Sequence, residues 1–220
     1  MMDDPRPLLD ISVALGPGTP EWPGDTPYSC GWTATIADGS SVNVSAIGMS
    51  PHVGTHADAA IHVRDGWPSS DALPMDAFVG PALVVDLSGA AGEIALDELA
   101  ARAREAGASL DGATRLLMRT GQSIADAVFP QAWPWLAPDV VAALVAGGLR
   151  LLGVDAPSVD ARESTTLPVH HALFAGGACN LENLDLRAVR AGVYELIAPP
   201  IRLVGLDAAP ARALLRAASR

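Results

Sequence analysis

His52-Val53-Gly54-Thr55-His56-Ala57-Asp58-Ala59-Ala60-Ile61-His62 holds three of the five histidines of this 220-residue chain. His52, His56, Asp58 and His62 are separated by even steps only. In extended backbone, even steps place side chains on one face. In a helix His52 and His56 would share a face while Asp58 pointed elsewhere. Gly54, Thr55 and the lack of a helical apolar stripe favour the extended reading. One face then carries two imidazoles and a carboxylate at close range, with a third imidazole further along. Imidazole plus carboxylate is the ligand set of zinc, manganese or iron. Three protein ligands with one open position is the catalytic arrangement, because water or substrate fills the vacancy. The plainer alternative is a polar strand face whose histidines only hydrogen-bond. The in-phase Asp58 and the concentration of histidine in this segment favour the metal.

The remaining histidines are the pair His170-His171, followed by Gly176-Gly177 and then Glu182. Pro168–Ala175 reads as a helix, on which His170 and His171 point about 100° apart, so at most one faces a given site. Glu182, in a polar break after two glycines, reads on its own as a surface residue.

Working outward, helices are predicted at Leu96–Glu105 and Pro138–Ala146. The first spaces its apolar residues at helical intervals, and the second carries Pro138 in its first turn and stops at Gly147-Gly148. Short strand-like runs are Leu8–Ala14, Ser41–Met49, Ala82–Leu87, Arg115–Arg119 and Leu149–Val154. Two more, Tyr194–Ile197 and Ile201–Gly205, flank Pro199-Pro200. Strands outnumber helices in mixed order. The expected fold is α/β, a single domain over residues 1–220 with a mixed or antiparallel β-sheet core and flanking helices. Gly16–Pro27 is the longest irregular stretch and carries four prolines, a pre-ordered loop of the kind that is often functional.

Composition excludes several functions. The net charge is −11, with no basic patch to neutralise phosphates, so neither nucleic acid nor an anionic membrane is an expected partner. All 14 basic residues are arginine, which rules out a Schiff-base lysine and a Walker-type phosphate loop. No Gly-x-Ser-x-Gly elbow of a serine hydrolase occurs. No apolar run has the length of a membrane helix, and Met1–Pro5 lacks the features of a secretory signal, so a cytoplasmic location is expected. Cys30 and Cys179 read as free thiols.

The histidine segment resembles the HxGTHxDxPxH signature of the metal-dependent cyclase-like hydrolases. The resemblance runs through Leu9-Asp10-Ile11-Ser12, the Thr19–Asp25 loop with Trp22, Leu117–Thr120, Gly153–Asp160, His170-x-x-Leu173-Phe174, Glu182-Asn183-Leu184 and Tyr194–Pro200. It implies the cyclase-like swivelling β/β/α fold. The Trp22 loop and compact length are similar to the arylformamidase branch. By this resemblance His52, His56 and Asp58 hold one metal, Asp58 and Glu182 bridge to a second, and His170 completes it. The register twelve residues before Glu182 selects His170 over His171. His62 is then the general acid/base and Trp22 lines the substrate pocket. Two divalent ions are implied, zinc by resemblance, with manganese and iron equally suited to these ligands. The implied reaction is hydrolysis of N-formyl-L-kynurenine to L-kynurenine and formate by metal-activated water, in a homodimer. Ala60 stands where the family usually has proline, which loosens the turn before His62, and Phe174 replaces a common leucine. The alternatives are a related amidohydrolase acting on isatin or another cyclic amide, and a non-catalytic zinc protein. The second fits poorly, since structural zinc sites close four ligands, often with cysteine. Asp155 and Asp160 are candidates to orient metal-binding histidines, Arg64 to meet a substrate carboxylate, and Trp133 and Trp135 read as structural.

Overall fold

The computed structural model describes residues 6–217. In chain order its strands are β1 (Leu8–Asp10), β2 (Ser29–Ala34), β3 (Val44–Gly48), β4 (His56–Asp58), β5 (Val79–Asp86), β6 (Glu93–Ile94), β7 (Arg115–Arg119), β8 (Trp135–Leu136), β9 (Leu151–Val154), β10 (Cys179–Leu181), β11 (Gly192–Ile197), β12 (Ala208–Pro210) and β13 (Leu214–Ala217). The helices are α1 (Leu96–Glu105), α2 (Pro138–Ala146) and α3 (Pro168–Ala175), with the bounds the sequence predicts. Leu99 and Ala103 of α1 are buried one turn apart, while Asp97 and Glu98 open the helix and Arg102 and Arg104 close it, each favourable to the helix dipole. Proline begins both α2 and α3, where its missing N–H costs nothing.

Seven strands form one sheet in the order β1-β13-β11-β5-β7-β9-β10. The half from β1 to β5 is antiparallel and the half from β5 to β10 is parallel. The mixed α/β fold expected from sequence is therefore present. The period-two alternation of β7 shows how the sheet divides two cores. Leu116 and Met118 pack with the buried faces of α1, α2 and α3, while Leu117 packs on the opposite face with Ile11, Phe78, Leu181 and Leu196. Two further antiparallel pairs, β2–β3 and β4–β12, lie outside this sheet.

Two expectations need correction. Ile201–Gly205 is an irregular loop, not a strand. The preceding prolines supply no N–H donors, and Ile201 and Val204 are exposed with no face to pack against. The predicted strand Leu8–Ala14 stops at Asp10, with Ser12 retaining only an isolated bridge to Leu184.

Candidate metal centre

Parallel strands β9 and β10 end side by side, and the centre lies beyond their carboxyl ends, where ligands of parallel sheets commonly bind. Glu182 directly follows β10, Asp160 lies on the loop after β9, and His170 sits in the first turn of α3. β4 crosses this end. It pairs with β12 and joins Glu182 through two backbone bonds, His56 N–H to Glu182 O at 3.3 Å and Glu182 N–H to His56 O at 3.0 Å. His56 and Asp58 share one face of β4, as even spacing requires. The extended reading fails beyond that strand: His52 lies in a turn and His62 ends a 3-10 turn at Ala60–His62. Gly54 supplies the turn. Its φ is +73°, and a Cβ there would run into Leu15 Cδ2. The chain thus folds back, bringing His52, His56, Asp58 and His62 together by a route that strand periodicity alone does not describe.

Three rings are held in the same manner. His52 donates from Nε2 to Asp207 Oδ2 at 2.9 Å, His56 from Nδ1 to the Gly54 carbonyl at 2.8 Å, and His170 from Nδ1 to Asp160 Oδ2 at 2.6 Å. Each outer nitrogen faces an acceptor, so in the neutral ring each inner nitrogen carries a lone pair. His52 Nδ1 lies 2.9 Å and His56 Nε2 3.2 Å from Asp58 Oδ1. His170 Nε2 lies 3.1 Å from Asp58 Oδ2 and 3.2 Å from Glu182 Oε1, and His56 Nε2 lies 3.6 Å from Glu182 Oε2. Asn180 orients both carboxylates, donating to Asp58 Oδ2 at 2.6 Å and Glu182 Oε1 at 3.2 Å and accepting the Asp58 N–H at 3.0 Å.

Asp58 Oδ1 is buried and receives no hydrogen bond of sound geometry. Lone pairs converging on an orphaned carboxylate oxygen repel unless a positive charge stands among them. The nitrogen and oxygen donors, the buried position and the fixed outer nitrogens all fit a divalent cation. In its absence protons serve. Burial lowers the basicity of His52, but Asp58 and Asp207 outweigh it and raise the ring's pKa to about 10. His170 is likewise raised well above its usual value, burial being outweighed by Asp160, Asp58 and Glu182. Asp58 is held well below the usual carboxylate range, burial being outweighed by His56, His170 and His52.

Beside these groups opens a cavity of about 360 Å³. Trp22 and Phe129 form one wall, edge to face with centroids 5.5 Å apart, and buried Trp133 stands 6.1 Å behind Trp22. Trp133 donates its Nε1–H to the Asp160 carbonyl at 2.7 Å, tying the aromatic wall to the residue that holds His170. The lining also includes His62, whose side chain is 29% exposed and whose Nδ1 lies 3.6 Å from Asp207 Oδ2. Burial lowers the His62 pKa, so the ring is neutral at pH 7 and able to accept a proton.

His52, His56, Asp58, His62, His170, Glu182 and Trp22 therefore all lie at this cavity or in the adjoining cluster. Of the two orienting candidates, Asp160 meets His170, whereas Asp155 accepts from Thr120 and Gly121 instead. His171 faces Trp67, and Arg64 stacks 5.1 Å over the same indole, away from the cavity. Asn180 and Asp207 were not singled out. Asn180 stands one even step from Glu182 on β10 and was open to the same strand argument, but Asp207 carries no local signal.

Residues 9–161 match the family described as putative cyclase. The chain belongs to this family. Relatives named kynurenine formamidase in Salinibacter ruber and Paracidovorax citrulli are 45% and 41% identical to it, over 95% and 98% of this cyclase-family chain and 97% and 99% of theirs. A solved structure described as a potential metal-dependent hydrolase with cyclase activity superposes with a TM-score of 0.80 at 29% identity, covering 97% of this chain and 99% of its own. An isatin hydrolase bound to a product analogue reaches the same TM-score at 24% identity, covering 96% of this chain and 92% of its own, a likeness of fold.

Proposed function

We infer that the protein is a metal-dependent arylformamidase that hydrolyses N-formyl-L-kynurenine to L-kynurenine and formate. The observation that carries this reading is the convergence of three oriented lone pairs on Asp58 beside His62 and an aromatic wall. The 45% identity to a kynurenine formamidase supports the substrate. His52, His56 and Asp58 would hold one cation, and His170 with the shared carboxylates of Asp58 and Glu182 a second, zinc in both cases. A divalent cation bound there supplies Lewis acidity that polarises the formyl oxygen and makes water acidic near pH 7.

The residues do the rest. Trp22 and Phe129 face the aryl ring, an aromatic contact worth roughly 0.5–1.5 kcal/mol beyond area burial. Neutral His62 takes a proton as water attacks the formyl carbon. It returns that proton to the anilide nitrogen, so the C–N bond breaks towards an amine and not an amide anion. Such transfer contributes ~10²–10⁴-fold in rate. Asn180 and Asp160 keep Asp58, Glu182 and His170 in place between turnovers. The proposal extends to a homodimer in the cytoplasm. The β2–β3 hairpin supports the dimer, because a lone hairpin is marginal in water and this one leaves Trp32 and Ile47 exposed.

Dialysis against a chelator and re-addition of zinc, with formate release followed, tests the reaction. Activity is expected to vanish and return. Turnover of isatin with none of N-formyl-L-kynurenine would discard the formamidase reading and keep the metal centre.

A further inference from the structure

Asp207 is the one carboxylate in this centre that two histidines share from outside the lone-pair cluster. Its backbone is fixed. The Asp207 carbonyl accepts the Ala59 N–H at 2.8 Å, and Ala208 pairs with Asp58 in the β4–β12 ladder. The side chain therefore stands beside the strand that bears His56 and Asp58, at the cavity mouth and 47% exposed. Its Oδ2 lies 2.9 Å from His52 Nε2 and 3.6 Å from His62 Nδ1.

We propose that Asp207 is a positioning residue that sets the tautomer of His52 for the cation and aligns His62 for proton transfer. The first half follows from the ring geometry. Only the Nε2–H form of His52 leaves a lone pair on Nδ1, which is the atom that meets Asp58 and His56. The other tautomer would aim an N–H at Asp58 Oδ1 and close the position to a cation. An acceptor beside Nε2 selects between the two. The second half rests on the reaction inferred above. If His62 keeps its N–H on Nδ1, towards Asp207, its Nε2 is the basic atom. The 3.6 Å separation is too long for a hydrogen bond, and such contacts commonly tighten when substrate binds. The carboxylate also stabilises the imidazolium that forms once His62 holds the proton, as the buried aspartate does in a serine-protease triad.

Asp207→Asn keeps the shape and removes the charge. Its zinc affinity, measured by competition with a chromogenic chelator, is expected to fall about 10–100-fold, the usual cost of losing such a partner. At saturating zinc, kcat on N-formyl-L-kynurenine is expected to fall at least about tenfold with KM changed less than about threefold. Asp207→Glu should recover part of both. Unchanged zinc affinity overturns the first half. A kcat fully restored by excess zinc overturns the second. A lower melting temperature with both constants intact makes Asp207 merely structural. A bound-zinc count that drops by one whole ion in Asp207→Asn makes it a ligand instead, and also overturns the proposal. If the wild-type protein turns over no N-formyl-L-kynurenine, the inferred reaction and the second half fall together, and the affinity comparison alone decides the first half.

Discussion

The two small antiparallel pairs outside the main sheet, β2–β3 and β4–β12, have the same architecture and opposite exposure. β2 and β3 are exposed along almost their whole length, yet from Thr26 to Pro51 the only charged residue is Asp38. β4 is wholly buried, yet it carries Asp58 and His56. Ordinary sorting puts apolar groups inside and charges outside. Each pair inverts one half of that rule. The buried charges fit a cation, and the exposed apolar strands are the basis of the proposed dimer.

The sharpest way to break the buried pair is Asp58→Ala. It removes the carboxylate on which three ring nitrogens converge, and kcat/KM at saturating zinc is expected to fall by at least about 10³-fold, several kcal/mol of transition-state stabilisation. Retention of a tenth of the activity would mean that the cation is held elsewhere.

A second test uses protons. The metal-free pKa values of His52 and His170 are raised, so at pH 7 both rings are protonated and zinc must displace those protons. Zinc titration in weak buffer should release up to about two protons per chain, and affinity should strengthen as pH rises from about 5.5 to 8. Stability of the chelated protein runs the other way. A raised folded pKa gives stabilisation that is complete below the unfolded value of 6.5 and lost as pH climbs, for His52 through about 10. Chelated protein should therefore lose this stabilisation between pH 6.5 and about pH 10, and zinc-loaded protein should not. Melting curves at the two pH values check this.

The exposed pair answers to a different substitution. Trp32→Arg is expected to weaken a dimer at least about tenfold in light scattering and to leave zinc affinity unchanged. A wild-type monomer at micromolar concentration would remove the dimer. The smallest effect is expected at Ala60. Ala59 has φ −97° and ψ 157°, the extended conformation required before proline, and Ala60 opens the 3-10 turn. Ala60→Pro should stabilise the protein by about 0.4–1 kcal/mol, a rise of a few degrees in Tm, with kcat unchanged.

The same contrast explains what sequence alone could tell. The helices were legible because each signal was local, an apolar spacing or an initial proline. The β4 residues were legible because even spacing describes a strand three residues long. His52 and His62 were predicted into the cluster for the wrong geometric reason, since a glycine turn and a 3-10 turn place them there. Strands β2, β6, β8, β10, β12 and β13 were missed. β2 shows no one-sided burial, and β12 and β13 are defined by partners far away in the chain. Asp207 was invisible for the same reason: nothing near it in sequence reports that it will meet His52, 155 positions earlier.

The order in which the chain is made gives the β4–β12 pairing a further meaning. Synthesis runs from the amino terminus, and domains fold as their parts emerge. The histidine segment leaves the ribosome early, but Glu182, β12 and Asp207 follow near the end. A nascent chain therefore displays imidazoles and a carboxylate long before the groups that fix them exist. The whole set of donors, and the carboxylate that holds His52, exists only once residue 207 has been made.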